Sequence, residues 1–376
     1  MFLTPEQQQI RDAIRAFAEE RVKPGAAQRD VTGEFPFELL RELASLGFIG
    51  MTVAPDDGGA GADWVSYAIV MEELARADAA LALMVGAMSL AITHINLYGT
   101  PEQKRRYLPD IIAGRRLCAW AFTEPGAGSD AAALRTRAVR DGDGWLLNGE
   151  KTFTTLGSVA DVFVVMASTN LAKRRHGISA FLVEKDFPGV TRGKPMHKMG
   201  VRASDTSGVV LDNVRVPAYN LLGKEDEGYW NALHALELGR IGIGALAVGI
   251  AQAALEVSAS YAKQRHTFGK PIAEHQFIQG YLADMATEID AARLLVRRAA
   301  AMQDTGQRTR KESAMAKLFA SEVALRAADK AVQIHGGYGY MQEFGVERLY
   351  RDAKVCTIGE GTSEVMRLVI AKELLK

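Results

Sequence analysis

The order of hydrophobic periods along the chain limits its fold more than any other feature of the sequence. Apolar residues recur at helical spacing over residues 4–112, short β-rich runs separated by Gly, Asn, Asp or Pro follow over residues 117–223, and helical spacing returns after residue 228. Strands and helices do not alternate, so the pattern disfavours a doubly wound nucleotide-binding sheet. It predicts a helical domain, a β-domain and a bundle of antiparallel helices joined by short turns.

Caps and turn residues set the ends of the predicted elements. Thr4, Pro5 and Gln7 form the N-terminal cap of an amphipathic helix that continues to residue 22. A DGDG segment at residues 141–144 predicts a β-hairpin, and further strands are expected over 162–167, 178–183 and 209–216. A helix after Pro36 is predicted to bury Leu39, Leu40, Leu43 and Leu46. The remaining helices are predicted over residues 64–77, 80–97, 101–112, 229–264, 273–303, 311–334 and 363–374.

Composition narrows the class of protein. The 45 Lys and Arg residues balance 45 Asp and Glu residues, so no overall field attracts nucleic acid or an anionic membrane. Cys118 and Cys356 lie far apart without a CxxC motif, which argues against a disulfide framework or a metal site and fits a reducing cytoplasm. The most apolar run, residues 241–254, is shorter than the roughly 20 residues that cross a bilayer, so we expect no membrane span.

The segment WAFTEPGAGSD, residues 120–130, is the first candidate for chemistry. Its glycines let backbone N–H groups approach a flat or anionic ligand, and Thr123 and Ser129 can donate hydrogen bonds. A Gly- and Pro-rich turn between two domains explains the same composition and is more common. The segment alone therefore does not identify a ligand.

Glu360 is the candidate catalytic residue. It lies between two glycines just before a helix that Thr362 or Ser363 can cap, so a loop can present its carboxylate to a pocket. An apolar pocket would raise the pKa of the carboxyl toward neutrality, as a general base for a weakly acidic proton requires. The alternative is a solvated loop acid, which is the commoner state of a glutamate.

Several motifs then occur in one order along the chain: TEPGAGSD at residues 123–130, GEKTFTT at 149–155, MGVRASDT at 199–206, VPAYNLLG at 216–223, RHTFGKPI at 265–272, QIHGGYGY at 333–340, ERLYRDAK at 347–354 and EGTSE at 360–364. Over essentially the whole chain they resemble the acyl-CoA dehydrogenase family of flavoproteins, especially its short-chain and branched-chain members. The resemblance implies an α+β, mostly α fold with an N-terminal helical domain (1–116), a middle β-barrel-like domain (117–226) and a C-terminal four-helix bundle (227–376).

The same resemblance implies that FAD lies between the β-domain and the bundle and reaches across a subunit interface. Arg265, His266 and Thr267 would contact the pyrophosphate of FAD in a neighbouring subunit. The full set of implied FAD contacts is Trp120, Phe122, Thr123, Ser129, Phe153, Thr154, Thr155, Arg265, His266, Thr267, His275, Gln276, Gln333, Gly336, Gly337, Thr362, Ser363 and Glu364. For Phe153 the alternative is a core aromatic of a strand, and for His266 it is a solvated helix end.

The implied substrate contacts are Ser129, Glu237, Arg240 and Gly361. Glu237 and Arg240 are three residues apart, so they could equally form a surface ion pair on one helix, and the ligand role is favoured for Arg240. His94 is expected to be a core histidine rather than part of the floor of the substrate pocket. The length of the acyl chain is not readable from these residues.

The activity implied by the resemblance is α,β-dehydrogenation of an acyl-CoA thioester to a trans-2-enoyl-CoA. Glu360 would take the α-proton while its backbone N–H polarises the thioester carbonyl, and the β-hydrogen would leave as hydride to flavin N5. Gly239 matches the position where some members carry the base instead, and it has no acid. The resemblance also implies electron transfer to electron-transfer flavoprotein, a homotetramer built as a dimer of dimers, and a place in fatty acid β-oxidation.

Four positions depart from the family pattern. The flavin-facing stretch usually reads Trp-Ile-Thr-Asn, and here Phe153, Thr154 and Leu156 replace the Trp, Ile and Asn; Gly359 replaces an aromatic residue before the base. Loss of that side chain predicts a wider cavity that tolerates α-branched or bulky acyl groups. Three other functions stay open: an acyl-CoA oxidase, a dehydrogenase for an acyl group tethered to a carrier protein, and a helical scaffold that has lost its cofactor.

Overall fold

The computed structural model describes residues 2–376, and its first third is helical. Thr4 caps the first helix by accepting a hydrogen bond from the Gln7 backbone, and the Gln7 side chain accepts one from the Thr4 backbone, which confirms the predicted cap. A π-helical turn, Ala18–Val22, continues this helix to the predicted end. The six helices are α1 (Pro5–Phe17), α2 (Ala26–Thr32), α3 (Phe37–Ser45), α4 (Trp64–Ala77), α5 (Ala79–Tyr98) and α6 (Pro101–Ile112).

Helix α3 buries fewer leucines than its period predicts. Leu39, Leu40 and Leu43 are buried against the core, but Leu46 is 55% exposed. The predicted burial of Leu46 is therefore wrong. The reason is that α3 ends at Ser45, so Leu46 lies in the turn before Gly47 and no longer follows the helical period.

The middle of the chain forms one mixed sheet. Its strands are β1 (Cys118–Ala121), β2 (Arg137–Asp141), β3 (Gly144–Thr155), β4 (Val162–Ser168), β5 (Ile178–Glu184), β6 (Val190–Arg192), β7 (Thr206–Val216) and β8 (Leu221–Leu222). The strand order is β6-β7-β3-β2-β4-β5-β8, and β1 pairs with β4 in parallel. Asp141 pairs with Gly144 across the turn, which confirms the predicted hairpin.

Strand β4 organises the sheet. All seven of its residues are buried, as expected for a strand covered on both faces. One edge pairs with β5 along its whole length, and the other edge is shared between β1 and the start of β2. The sheet therefore divides into two parts at β4, and β1 places the 120–130 segment at this division.

The last third contains five helices rather than the four predicted. They are α7 (Gly228–Gln264), α8 (Gln276–Asp304), α9 (Arg310–His335), α10 (Val346–Cys356) and α11 (Ser363–Leu374), with a small hairpin of β9 (His266–Thr267) and β10 (Lys270–Pro271) before α8. Helix α10 carries the ERLYRDAK motif and was not predicted. Its buried residues, Val346, Leu349, Ala353 and Cys356, follow a helical period that would have identified it.

Helix α7 connects the bundle to the N-terminal helices. It packs against α8 and α9 on one side and against α4 and α5 on the other. Glycines allow the close approach: a Cβ at Gly249 would overlap the carbonyl oxygen of Glu72 on α4, and one at Gly242 would lie 2.6 Å from the Tyr67 hydroxyl. The fold thus brings α4, α7 and α9 together in one apolar core.

Helices α5 and α7 are long and apolar enough to cross a membrane by length and composition. The run at residues 241–254 lies inside the 37-residue α7, so its short length in the sequence is not a sound argument against a span. Burial explains the composition better, because 72% of the most apolar window of α5 and 78% of that of α7 are buried inside the protein. A helix buried in the core of a protein is apolar on all its faces, so its sequence resembles that of a membrane-spanning helix.

Candidate active site

Glu360 lies on the short loop between α10 and α11, and the backbone of this loop is unusual. Glu360 has a φ of 54° and Gly361 a φ of 105°, so two consecutive residues adopt positive φ. A side chain at positive φ is unfavourable, and residues held in such conformations concentrate at functional sites. Thr362 then caps α11 by accepting a hydrogen bond from Val365 N at 3.3 Å, which fixes the end of the loop.

The Glu360 side chain points into the protein rather than to solvent. Its Oε2 atom is buried and has no hydrogen-bond partner among the residues that the structure describes. It lies against Gly239 of α7, where a Cβ would overlap the carboxylate. Burial raises the pKa of Glu360 to about 7, although the nearby positive charges of Arg240 and Lys317 act in the opposite direction. The alternative of a solvated loop acid is therefore wrong.

Two basic residues approach this carboxylate from different helices. Arg240 on α7 is 4% exposed, and its Nε atom has no partner within residues 2–376. Lys317 on α9 is fully buried, and its Nζ donates a hydrogen bond to the carbonyl oxygen of Gly361 at 2.5 Å. Burial lowers the pKa of Arg240 and that of Lys317, the latter to about 8. The site thus holds one acid and two cations in an apolar setting.

Glu237 and Arg240 do not form the surface pair that their spacing allows. Both are buried, and Glu237 lies 3.5 Å from the guanidinium of Arg310 at the start of α9. Arg310 also lies 3.5 Å from Glu373 on α11. The charge of Glu237 is therefore compensated by a residue 73 positions away, and Arg240 is left free to face the site.

Tyr67 on α4 is a further group at this site that sequence reasoning missed. It is buried, its hydroxyl lies beside Gly242, one helical turn beyond Gly239, and the charge of Glu360 adds to burial in raising the pKa of the phenol. A tyrosine on an amphipathic helix carries no signal that distinguishes it from a core aromatic. Only the crossing of α4 and α7 brings it near Glu360.

The 120–130 segment is held by a buried ion pair that the sequence did not reveal. Glu124 accepts hydrogen bonds from Lys151 Nζ at 2.6 Å, from the Thr136 hydroxyl at 2.6 Å and from the backbone N–H groups of Arg135 and Thr136. Lys151 is fully buried, and burial lowers its pKa to about 8. These bonds anchor the segment in the sheet, while Ser129 at its far end is exposed.

Trp120, the first residue of this segment, contacts the buried His94. The Trp120 indole donates its N–H to His94 Nδ1 at 3.0 Å, and Phe122 packs edge-on to Trp120 with ring centres 5.2 Å apart. Burial lowers the pKa of His94 to about 3, so the ring is neutral and carries its proton on Nε2, which has no partner among residues 2–376. His94 is thus a core histidine, as expected, with one nitrogen satisfied.

The residues at the end of β3 face outward or carry free hydroxyls. The pairing of β3 with β7 shifts register between Lys151 and Thr154, and Phe153 in this irregularity has a φ of 53° and is 67% exposed. Phe153 is therefore not a core aromatic of the strand. Thr154 is buried with its hydroxyl unpartnered, and Thr155 is half-buried.

A second cluster lines a cleft of about 450 Å³ near the end of α9. Arg265, Thr267, Gly336 and Gly337 line this cleft, and Thr267 contacts His275 with 3.1 Å between the hydroxyl and Nε2. The expected contacts that are exposed and do not line it are His266, Gln276 and Gln333. The Arg265 guanidinium lies 5.5 Å from the centre of the Tyr338 ring, so its charged end borders the opening.

These side chains suit a large planar cofactor with phosphates. The exposed Phe153 ring offers an aromatic face, and the buried hydroxyls of Thr154 and Ser363 lack partners within the described chain, so a ligand can supply them. Thr362 is half-buried and Glu364 exposed beside Ser363 at the start of α11. Arg265 supplies a cation suited to phosphate. Within residues 2–376, no group of three His, Cys, Asp or Glu residues could hold a metal ion.

Comparison with known protein families finds three models that together span most of the chain. The model "Acyl-CoA dehydrogenase, N-terminal domain" matches residues 4–115, "Acyl-CoA dehydrogenase, middle domain" matches residues 119–214, and "Acyl-CoA dehydrogenase, C-terminal domain" matches residues 226–375. They follow one another in the order of the helical, β and helical parts of the structure.

Similar proteins match the chain from end to end. An acyl-CoA dehydrogenase of Bacillus subtilis is 48% identical over 376 residues, which is 100% of this chain and 99% of that protein. The short-chain specific acyl-CoA dehydrogenase of Clostridium acetobutylicum is 43% identical, with the same coverage. A subunit of the caffeyl-CoA reductase-Etf complex of Acetobacterium woodii is 44% identical and covers 100% of both chains.

Solved structures have the same fold. Butyryl-CoA dehydrogenase of Megasphaera elsdenii superimposes with a TM-score of 0.98 at 42% identity, covering 100% of both chains. A chain in a structure of the electron transferring flavoprotein of Acidaminococcus fermentans gives 0.98 at 42% identity, covering 100% of this chain and 99% of that one. The prolyl acyl carrier protein oxidase AnaB gives 0.96 at 33% identity, covering 99% and 100%.

Proposed function

The chain belongs to the acyl-CoA dehydrogenase family, and we propose that it oxidises the α,β-carbon bond of a short-chain acyl-CoA thioester with Glu360 as the base. The protein is an FAD-dependent oxidoreductase. The observation that supports the base most directly is the carboxylate of Glu360, which is buried, unpartnered at Oε2 and directed at the groove left by Gly239. A carboxylate with those properties is free to take a proton from a bound substrate.

Glu360 acts on the α-proton, and its environment suits that step. Its pKa, raised to about 7 by burial, makes it a stronger base than a solvated carboxylate while leaving it largely ionised above neutral pH. The Glu360 backbone N–H has no acceptor within residues 2–376, so it can donate to the thioester oxygen as the α-carbon loses its proton. When bound, FAD supplies the acceptor for the hydride that leaves the β-carbon.

The cofactor would be held by two parts of the chain. Phe153, Thr154 and Thr155 at the end of β3, with the anchored 120–130 segment and the start of α11, would hold the flavin end. Arg265, Gly336 and Gly337 would hold the pyrophosphate and adenosine end from a neighbouring subunit. This division is the reason for proposing a dimer, and the proposal that two such dimers form a homotetramer follows from the family resemblance.

We propose a short acyl group by analogy with the short-chain specific relative, and a site that tolerates α-branched or bulky acyl groups. A Cβ at Gly359 would meet only one atom within 4 Å, the Val355 carbonyl oxygen at 3.5 Å, so space is open beside the base. Arg240 and Ser129 are proposed to contact the CoA part. Electron-transfer flavoprotein is proposed as the electron acceptor, with support from matches whose printed names include an Etf complex and an electron transferring flavoprotein. Fatty acid β-oxidation and the cytoplasm are proposed as the pathway and the location.

Anaerobic titration of the FAD-loaded protein with a panel of acyl-CoA thioesters tests this function. We expect rapid bleaching of the flavin by short and α-branched acyl-CoAs. A strict preference for butyryl-CoA would contradict the branched-substrate part of the proposal. Bleaching only by a carrier-protein thioester would indicate an enzyme for an acyl group tethered to a carrier protein, as in the prolyl acyl carrier protein oxidase. Rapid peroxide formation in air would indicate an acyl-CoA oxidase.

A further inference from the structure

Lys317 is a buried charge that the proposed reaction does not yet use. It is fully buried on α9, and no carboxylate within residues 2–376 lies within 4.0 Å of it. The other fully buried lysine, Lys151, differs because Glu124 pairs with it directly at 2.6 Å. A buried ammonium without a direct carboxylate partner is costly, and such a group is a candidate for a specific role.

The contacts of Lys317 locate that role at the loop that carries the base. Lys317 Nζ donates to the Gly361 carbonyl at 2.5 Å, on the C-terminal side of Glu360. Ser321, one helical turn further along α9, donates to the Cys356 carbonyl at 2.9 Å, on the N-terminal side. One face of α9 therefore holds both ends of residues 356–361, the segment in which Glu360 has positive φ.

We propose that Lys317 is a positioning residue for the proposed base: it fixes the loop through the Gly361 carbonyl, and its ammonium charge favours the carboxylate form of Glu360. The inference rests on the assignment of Glu360 as base, and it adds a residue from a different helix to the machinery. Hydrogen bonding and charge are separable contributions, since a neutral donor can supply the first without the second.

Several charged or titratable groups face Glu360 and Lys317, and they limit how large the effect of one charge can be. Arg240, on α7, also favours the carboxylate form of Glu360, so loss of Lys317 leaves one cation in place. Burial raises the pKa of Glu360 to about 7 and lowers that of Lys317 to about 8, so both are charged in the interval between. The groups that interact with this pair are Arg240 from α7, Tyr67 from α4, Cys356 from α10 and Glu364 from α11.

The test compares Lys317→Met, which removes donor and charge, with Lys317→Gln, which keeps a donor. The pH profile of the rate of flavin reduction should have an acid limb, and the midpoint of this limb should lie near pH 7 in the unmodified protein. Removing a cation raises the pKa of a neighbouring carboxyl, so the limb should move up by about one pH unit in both variants, a roughly 10-fold loss of rate at pH 6. The plateau at high pH should fall more in Lys317→Met, because only this variant frees the Gly361 carbonyl.

A second readout does not depend on turnover. Infrared difference titration of the protein should show a carboxyl band that Glu360→Gln abolishes and whose midpoint moves up in both Lys317 variants. Lys330→Met, which removes a half-buried lysine from the same helix, should move neither the limb nor the midpoint. Lys317→Arg keeps the charge and should leave the midpoint near that of the unmodified protein.

The outcomes separate the inference from the proposed function. An unchanged Glu360 midpoint in a folded, FAD-loaded Lys317→Met protein would overturn the charge role of Lys317. If Lys317→Met does not fold, the midpoint of Lys317→Gln decides the same question. If no thioester bleaches the unmodified protein, the proposed function fails, and the infrared midpoints still decide whether Lys317 sets the ionisation of Glu360.

Discussion

At Glu360, backbone strain and burial act on the same residue. The positive φ directs the side chain away from solvent toward Gly239, and the apolar surroundings then penalise its charge. Gly239 has no side chain, and this leaves room for the Glu360 carboxylate, because any side chain at position 239 would occupy the same space. The two cations, Arg240 and Lys317, keep the raised pKa within reach of neutral pH.

Glu360→Gln tests the residue directly. The amide fills the same space but cannot take a proton, so the protein should retain FAD while the rate of flavin reduction by acyl-CoA falls about 10²–10⁴-fold. Stopped-flow absorbance measures the rate, and the flavin-to-protein ratio measures retention. Glu322→Gln on α9, which removes an acid paired with Arg367 at the surface, serves as the matched control. Undiminished reduction in Glu360→Gln would remove the assignment.

The same variant has a predictable effect on stability. The pKa of Glu360 rises from an ordinary 4.5 to about 7 in the folded protein, so the folded state binds this proton more tightly than the unfolded state. Between these two values the unmodified protein loses stability as pH rises, and Glu360→Gln does not. The melting temperature of the variant should therefore gain on that of the unmodified protein as pH increases from about 5 to 7.

At the level of elements, the site depends on how closely α7 approaches its neighbours. Gly242 and Gly249 let α4 pack against α7 with almost no side chain between them, and Tyr67 reaches the site through this contact. On the other side, α9 supplies Lys317. Larger residues at Gly242 and Gly249 would hold α4 further from α7, and a larger residue at Gly244, whose Cβ would lie 3.6 Å from the Lys317 backbone, would do the same for α9.

Gly249→Ala should therefore destabilise the protein even though alanine is the better helix former. The added Cβ would overlap the Glu72 carbonyl and lie 2.8 Å from the Ala75 Cβ, so α4 or α7 must move, at a cost of about 1–3 kcal/mol. Gly280→Ala on α8 is the matched control, because nothing lies within 4 Å of its Cβ and only the gain in helix propensity remains. Thermal unfolding should show a lower midpoint for Gly249→Ala alone, and equal midpoints would exclude a tight crossing.

At the level of the whole molecule, the cleft near the end of α9 and the Glu360 loop are two distinct sites, because no residue of the loop lines the cleft. Arg265 is exposed at its edge, and the β9–β10 hairpin that follows presents Phe268 with 96% of its surface exposed. Both the Phe268 ring and the Arg265 guanidinium are therefore accessible to another molecule. These features agree with the proposal that a cofactor bound mainly by one subunit is completed by another.

Arg265→Gln should weaken FAD binding without changing the fold. Loss of a charge-assisted hydrogen bond to phosphate costs about 1.5–3 kcal/mol, which is roughly a 10- to 100-fold loss of FAD affinity. Titration of the apoprotein with FAD measures this change, and light scattering reports the mass of the assembly with and without FAD. Arg326 pairs with Glu288 on α8, away from the cleft residues, so Arg326→Gln should bind FAD normally. Equal FAD affinity in the two variants would exclude a phosphate role for Arg265.

Local signals predicted most of the architecture. The cap of α1 and the DGDG hairpin are encoded within a few neighbouring residues, and the fold class agrees with the family models and the solved structures. The domain boundaries after residues 116 and 226 stay predictions. The errors are local as well. The prediction lacks α10 although its buried residues follow a clear helical period, and it places Leu46 in a helix that ends one residue earlier.

The sequence by itself determined the order of the elements and the candidacy of Glu360, because periodicity, capping and flanking glycines act over short stretches of chain. The tertiary structure alone decided what surrounds that residue. The packing of its carboxylate against Gly239, the pairing of Glu237 with Arg310 and the contact of Lys317 with Gly361 join residues that are 44 to 121 positions apart in the chain. Ionisation depends on those neighbours, so the chemistry of the carboxylate follows from the packing of α4, α7, α9 and the loop after α10.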